Sequence, residues 1–115
     1  MIARAWRGET LAEDADAYLA YLDGTGVSDC AGSEGNRGVL VLRRTVDDTA
    51  EFLFMSFWDS MDAIRGFAGP EPEWARYYEE DRRYLLEMQP TVDHFEVAVR
   101  RFPPEVRAPG PDAIG

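Results

Sequence analysis

The residue best suited to acid–base chemistry is His94, the single histidine of this 115-residue chain. Imidazole is the only side chain whose ordinary pKa lies close to neutrality, so His94 could accept a proton from a phenol or an anthrone. The carbanion left behind could then react with dioxygen. The alternative is a structural histidine that pairs with a neighbouring carboxylate or lies at a subunit contact, and the sequence leaves both open.

Arg4 and Asp81 form the next candidate pair for catalysis. Helical spacing predicts a long helix over 73–88, and its inward stripe contains Asp81 among Trp74, Tyr78, Leu85 and Met88. A buried carboxylate needs a partner, and we expect Arg4, which shares a strand face with Ile2 and Trp6. The pair could take part in catalysis or form a purely structural ion pair.

Four aromatic side chains could form the wall of a substrate pocket, namely Trp6, Trp58, Trp74 and Tyr78. Aromatic walls suit a flat ligand. They also suit a hydrophobic core, and for each tryptophan alone core packing is the simpler interpretation. Trp58 ends the apolar run FLFMSFW, where a strand is predicted to lead into a helix, and we expect it to be both a core residue and part of the pocket wall.

Hydrophobic periodicity predicts the elements that position these residues. Thr10 and Glu13 fit a capping box at the start of a first helix, which is followed by a polar loop over 27–38. Asp59 or Ser60 caps a short second helix, ahead of the long helix over 73–88. The turn DDT joins the second strand to the third. Strands are predicted over 1–7, 38–46, 50–58 and 91–102.

The element order β-α-β-β-α-α-β predicts an α+β, ferredoxin-like domain over 1–102, with its helices on one face of the sheet. The proline-rich segment 103–115 has little to bury and is predicted to be a flexible tail. Strand alternation puts apolar side chains on both faces of the third strand, with Phe52, Phe54 and Trp58 opposite to Leu53, Met55 and Phe57. Since helices can cover only one face, a second copy of the chain should cover the other, which predicts a homodimer.

Composition narrows the possible partners. The net charge is −10, with 22 acidic and 12 basic residues, so we expect neither nucleic acid nor an anionic membrane as a partner. No apolar run approaches the roughly 20 residues of a membrane span, and no signal peptide is recognisable.

The lone Cys30 lies in the predicted polar loop without an activating neighbour, which fits a reducing cytoplasm. No His/Cys cluster has metal-ligand spacing, so no metal is expected.

Several segments together resemble the antibiotic biosynthesis monooxygenase family over about residues 1–102: MIARAWRG, GNRGVLVLRR, FLFMSFWDSMDAIRGFAG and DHFEV. The resemblance implies a dimeric α+β barrel in which two sheets face each other and each subunit keeps a pocket between its sheet and helices. The activity it implies is a monooxygenase that acts on an aromatic or polyketide-like small molecule without a cofactor. The alternative is a non-catalytic small-molecule-binding or accessory dimer of the same fold.

Another branch of that family degrades haem with an asparagine, a tryptophan and a histidine. At the matching positions this chain has ARAWR, without asparagine, on the first strand, Phe67 in place of the tryptophan, and Tyr77 and Tyr78 in place of the histidine. We therefore expect no degradation-competent binding of haem.

Overall fold

Residues 1–103 are described by a computed structural model, so the predicted tail over 103–115 lies almost wholly outside the described residues. Within 1–103, no helix is both long enough and apolar enough to cross a membrane. The elements in chain order are β1 (Ile2–Leu11), α1 (Ala15–Leu22), α2 (Ser28–Ala31), β2 (Asn36–Val46), β3 (Thr49–Trp58), α3 (Met61–Ala68), α4 (Asp81–Tyr84) and β4 (Asp93–Glu96).

The four strands form one sheet in the order β2-β3-β1-β4, and each pair of neighbours is antiparallel. β1 and β2 therefore run in the same direction with β3 between them, which is the split βαβ arrangement of a ferredoxin-like sheet. The predicted fold class is confirmed.

Two local predictions around β3 are also confirmed. The β2–β3 hairpin turns at Asp47, whose φ of 54° lies in the left-handed region that aspartate tolerates. Ser60 caps α3, because its hydroxyl accepts a hydrogen bond from the Ala63 N–H at 3.1 Å. The other predicted cap, Asp59, forms an ion pair with Arg37.

The predicted capping box at Thr10 and Glu13 is wrong. β1 continues to Leu11 because it pairs with β3 along its whole length, as far as Leu11 opposite Thr49. The Thr10 hydroxyl donates to the Leu11 carbonyl at 2.8 Å and caps no helix. α1 starts only at Ala15.

The prediction of a polar loop over 27–38 is also wrong. After α1 the chain continues through a wide helical turn, Asp23–Val27, directly into α2, and β2 begins at Asn36. Gly26 allows the close approach, since a Cβ there would lie 3.0 Å from the Phe54 ring. Cys30 is consequently a buried helix residue and not a loop thiol.

The long helix over 73–88 is replaced by an irregular segment in which only α4 is helical. Its backbone groups bond to other segments: Ala75 N–H to Pro90 C=O, and Leu86 N–H to Glu9 C=O, both at 2.9 Å. Leu85 ends α4 in an extended conformation. The last strand is shorter than the predicted 91–102, because its pairing with β1 covers only Asp93–Glu96.

The two faces of the sheet differ as the alternation predicts. Phe52, Ser56 and Trp58 are buried beneath the helices. The opposite side, called here the open sheet face, is uncovered in the single chain: Leu40, Leu42 and Phe95 on it are 44%, 49% and 56% exposed. Its other members, by register, are Ala3, Ala5, Leu53, Met55 and Phe57.

Candidate functional site

A small pocket lies between the covered sheet face and the helices, with a cavity volume of about 40 Å³. β1 and β3 form its floor, α1 and α2 one side, and α3 with the segment before α4 the other. Its lining combines aromatic walls with two arginines and contains no acidic side chain: Arg4, Trp6, Tyr18, Leu22, Gly26, Cys30, Phe54, Ser56, Phe67, Arg76 and Tyr78.

Arg4 is the most unusual lining residue, because its guanidinium group belongs to a side chain that is only 6% exposed. Its Nη2 donates to the carbonyls of Trp74 at 2.9 Å and Pro72 at 3.3 Å, and so holds the segment above the pocket. Its buried Nε has no hydrogen-bond partner among residues 1–103. Burial and, less strongly, the charge of Arg76 lower the pKa of Arg4.

Arg76 is the second cation of the pocket and lies closer to the solvent. Its guanidinium group is 4.9 Å from the ring centroid of Phe67 and 5.1 Å from that of Tyr78. Asp29 is its ion-pair partner at 3.6 Å and also accepts a hydrogen bond from the Tyr78 hydroxyl. Burial and that hydrogen bond raise the pKa of Tyr78, so its hydroxyl is a neutral donor.

The floor of the pocket is held in place by the Trp6 indole. Its Nε1 donates to the Tyr77 hydroxyl at 3.0 Å, and that hydroxyl donates in turn to the Gln89 carbonyl. Gly8 makes room for the ring, since a Cβ at that position would lie 2.2 Å from an indole carbon. The Trp6 ring orientation is therefore fixed from both sides.

Asp81 does not pair with Arg4, contrary to the sequence prediction. Its carboxylate accepts from the Tyr18 hydroxyl at 3.2 Å and from the Tyr78 N–H at 2.6 Å. It thus positions two pocket residues from behind without lining the pocket. Burial raises the pKa of Asp81, and the two hydrogen bonds oppose that effect. Burial and the nearby Asp81 charge also raise the pKa of Tyr18.

His94 lies beside the pocket and does not line it. It is directly opposite Arg4 in the β1–β4 ladder, on the covered face and away from the open sheet face. Burial and, less strongly, the charge of Arg4 lower the pKa of His94, which keeps it neutral at physiological pH. Its buried Nε2 has no partner in the described part of the chain.

Trp58 and Trp74 are not lining residues either. Trp58 is fully buried with Cys30 and Ile64, and its ring lies 5.6 Å from that of Phe67, which separates it from the cavity. Trp74 is half exposed. Of the seven residues proposed from the sequence, the pocket therefore brings together Arg4, Trp6 and Tyr78.

Sequence reasoning missed several lining residues. Ser56 and Phe54 share the covered face of β3 with Trp58, so strand alternation could have identified them. Arg76 and Cys30 gave no such signal, because the segments that contain them were assigned to the wrong elements. The Cys30 thiol is protonated: burial raises its pKa from 9.0 to about 11, against a hydrogen bond to Ser56.

The fold and the pocket define the chain as a ferredoxin-like α+β protein with a cavity between sheet and helices. Its structure is similar to that of a proposed antibiotic biosynthesis monooxygenase from Bacillus cereus, with a TM-score of 0.60 and 16% identity over 89% of this chain and 97% of the other. It is also similar to a variant of MhuD crystallised with two manganese protoporphyrin IX molecules per active site, with a TM-score of 0.56 and 16% identity over 90% and 100% of the two chains. At this identity the likeness concerns the fold, and the predicted resemblance is confirmed at that level. No protein-family model matches the sequence, and no curated protein is significantly similar to it.

Proposed function

We propose that the pocket binds a flat, aromatic small molecule. The observation that carries this proposal is the lining itself, in which Trp6, Tyr18, Phe54 and Phe67 surround a cavity whose polar groups are few and fixed. Trp6 and Tyr18 are held by hydrogen bonds to groups behind them, so the pocket walls are formed before a ligand arrives. The similarity of fold to a proposed antibiotic biosynthesis monooxygenase is compatible with a small-molecule ligand.

Titration with a neutral flat probe, 1-hydroxy-2-naphthamide, tests the binding proposal by calorimetry and by tryptophan fluorescence. Phe67→Leu should weaken binding several-fold, because it removes a planar wall and keeps an apolar one. The same substitution at Phe102, which is exposed and outside the pocket, is the matched control and should leave the affinity unchanged. Equal effects of the two substitutions would contradict this location of the site.

Cofactor-independent oxygenation is the second candidate function, and the two pocket arginines favour it. A positive wall lowers the pKa of a bound phenol or anthrone, and the resulting carbanion can react with dioxygen. In such a reaction the CH₂ group between two rings becomes a carbonyl, one oxygen atom enters the substrate, and the other leaves as water. The substrate supplies all four electrons. No lining side chain is a base at neutral pH, since Tyr18, Tyr78 and Cys30 hold their protons, so the proton leaves to solvent or, through a water molecule, to His94 beside the pocket.

An oxygen electrode with 1,8-dihydroxyanthrone as substrate separates oxygenation from binding alone. Uptake of one O₂ per substrate, faster than the uncatalysed reaction, would support the enzyme. His94→Ala should slow the rate if His94 accepts the proton and leave the free energy of unfolding nearly unchanged. Stoichiometric binding without faster oxygen uptake would support the non-catalytic alternative.

Manganese protoporphyrin IX is a ligand of one structure with this fold, but the residues of this pocket do not fit a porphyrin-bound metal such as haem iron. The histidine does not line the cavity, the Cys30 thiol and the Tyr78 hydroxyl are both protonated, and no three His, Cys, Asp or Glu side chains within 1–103 are grouped as a metal site. We therefore propose that haemin is not degraded. Titration with haemin followed by a reductant tests this, and loss of the Soret band with ring opening would contradict it.

We further propose that the open sheet face is the contact of a homodimer. Leu40, Met55 and Ala5 form an apolar row across three neighbouring strands. On β2, Leu40 and Leu42 are about half exposed, so this edge of the row is uncovered in the single chain. Sedimentation should give twice the 13.0 kDa chain mass. Met55→Lys should dissociate and destabilise the dimer, whereas Ala20→Lys on the exposed side of α1 should do neither. A stable, well-folded monomer of the natural chain would contradict the proposal.

The single cysteine is buried and free, and we propose that the protein works in a reducing, cytoplasmic environment. Fractionation of the producing cells checks this location.

A further inference from the structure

We propose that the ligand of the pocket is an aromatic carboxylic acid, and that Arg4 and Arg76 bind its carboxylate. This inference rests on the proposed function, which requires only that the pocket accept a flat aromatic molecule. It adds the charge and the functional group of the ligand, and with them a specificity role for two arginines.

Arg4 carries a buried charge without an ion-pair partner. Its side chain is more than nine-tenths buried, yet no carboxylate among residues 1–103 lies within ion-pair distance of it. Two carbonyl oxygens occupy Nη2, and Nε has no acceptor. A buried charge is costly unless it is paired, so an anion that enters the pocket would gain a strong interaction with a group that is already dehydrated.

The charged side chains that line the cavity are both positive. Two guanidinium groups line the pocket, whereas its two neighbouring carboxylates lie behind the lining: Asp29 pairs with Arg76 and accepts from Tyr78, and Asp81 accepts from Tyr18 and from the Tyr78 N–H. His94, beside Arg4, is neutral because its pKa is lowered. The side chains that face the cavity are therefore positive, in a chain whose net charge is −10. General solubility does not explain that reversal, whereas attraction of an anionic ligand does.

Arg4 and Arg76 both lie close to the ring of Phe67. The guanidinium carbon of Arg4 lies 5.8 Å from the Phe67 centroid, and that of Arg76 lies 4.9 Å from the same centroid. An aromatic ring that packs against Phe67 therefore directs a substituent toward this cationic wall. A carboxylate conjugated to the ring is planar and matches the planar fork of N–H donors that a guanidinium group presents.

The test compares 1-hydroxy-2-naphthoate with 1-hydroxy-2-naphthamide, which has nearly the same shape and no charge. The natural chain should bind the acid at least tenfold more tightly, and Arg76→Gln should reduce acid affinity by roughly tenfold to a hundredfold while changing amide affinity by less than about twofold. Arg82→Gln is the matched control, since Arg82 is exposed on α4 and outside the pocket, and it should change neither affinity.

Arg4→Met provides a second variant. It replaces the guanidinium group by a shorter apolar chain and removes the donor to the Trp74 and Pro72 carbonyls, so its fold is first verified by circular dichroism; the folded variant should lose the preference for the acid. Equal affinities of the natural chain for acid and amide would overturn the carboxylate assignment and leave the binding proposal intact. Failure of the natural chain to bind either probe would overturn both.

Discussion

Replacement of Trp58 by alanine should cost a large part of the stability of this domain. The side chain is fully buried, packs with Cys30 and Ile64, lies 5.6 Å from the Phe67 ring, and donates from Nε1 to the Ser56 hydroxyl at 2.8 Å. Truncation of a buried tryptophan costs about 3–5 kcal/mol, through the lost apolar contacts and the cavity that remains. A domain of this size is stable by only about 5–15 kcal/mol, so the variant should unfold at a much lower urea concentration.

Two further variants separate the contributions to this loss. Trp58→Phe keeps most of the apolar volume but leaves the buried Ser56 hydroxyl without its donor, so we expect a loss of about 1–2 kcal/mol. Trp74→Ala is the matched control: Trp74 is 50% exposed, and its removal should cost less than about 1 kcal/mol.

Urea unfolding followed by far-ultraviolet circular dichroism is the appropriate assay, because the fluorescence changes with each tryptophan removed. The m-values must agree between variants for the free energies of unfolding to be compared. If Trp58→Ala cost no more than Trp74→Ala, Trp58 would not be the packed centre of the buried group that it forms with Cys30 and Ile64, and the reasoning from its burial would be refuted.

Gly35, Cys30 and Asp81 each allow one further test of the structure. Gly35→Ala should cost about 2 kcal/mol or more in thermal unfolding, because φ at this position is 83° and the new Cβ would lie 2.5 Å from that of Ala63. Gly24→Ala meets no atom within 4 Å and should be neutral or slightly stabilising; a loss equal to that of Gly35→Ala would contradict this account. Cys30, with its pKa raised to about 11, should react with a disulfide reagent at about pH 8 roughly a hundredfold more slowly than an ordinary thiol, from ionisation alone; rapid labelling of the native protein would show that the thiol is accessible. The pKa of Asp81 is raised in the folded state, so its protonation stabilises the fold below the unfolded pKa, and this contribution is lost as pH rises through the folded pKa. Relative to Asp81→Asn, the natural chain should therefore lose stability in urea titrations as the pH rises from about 4 to about 7, and parallel curves would exclude a raised pKa.

Local patterns predicted the sheet well because strand signals and turn chemistry act over a few residues. The β2–β3 hairpin, the two-faced β3 and the Ser60 cap all depend on neighbours in sequence. The predicted helix over 73–88 is wrong because contacts with distant residues determine the structure of this segment. It has strong helix formers, but its backbone groups bond to Glu9 and Pro90, contacts that no local window contains.

The site was predicted only in part, because several of its contacts join residues that are distant in sequence. Arg4 and Trp6 were identified because alternation along β1 fixes which side chains share a face. The partner of Asp81 was wrong, because Tyr18 reaches it from a helix whose start had been misplaced. Arg76 became a pocket residue only through the irregular segment that positions it above Phe67.

The central position of β1 also determines how much chain entropy each strand pairing costs. The β2–β3 hairpin closes across a two-residue turn, whereas β1 pairs with β3 from Leu11 to Thr49 and with β4 as far apart as Ile2 and Glu96. The entropic cost of closing a loop increases with its length, and contacts between distant residues slow folding. The β1–β4 pairing, which places His94 beside Arg4, is thus the most expensive of the three to close and depends on the rest of the sheet for its stability.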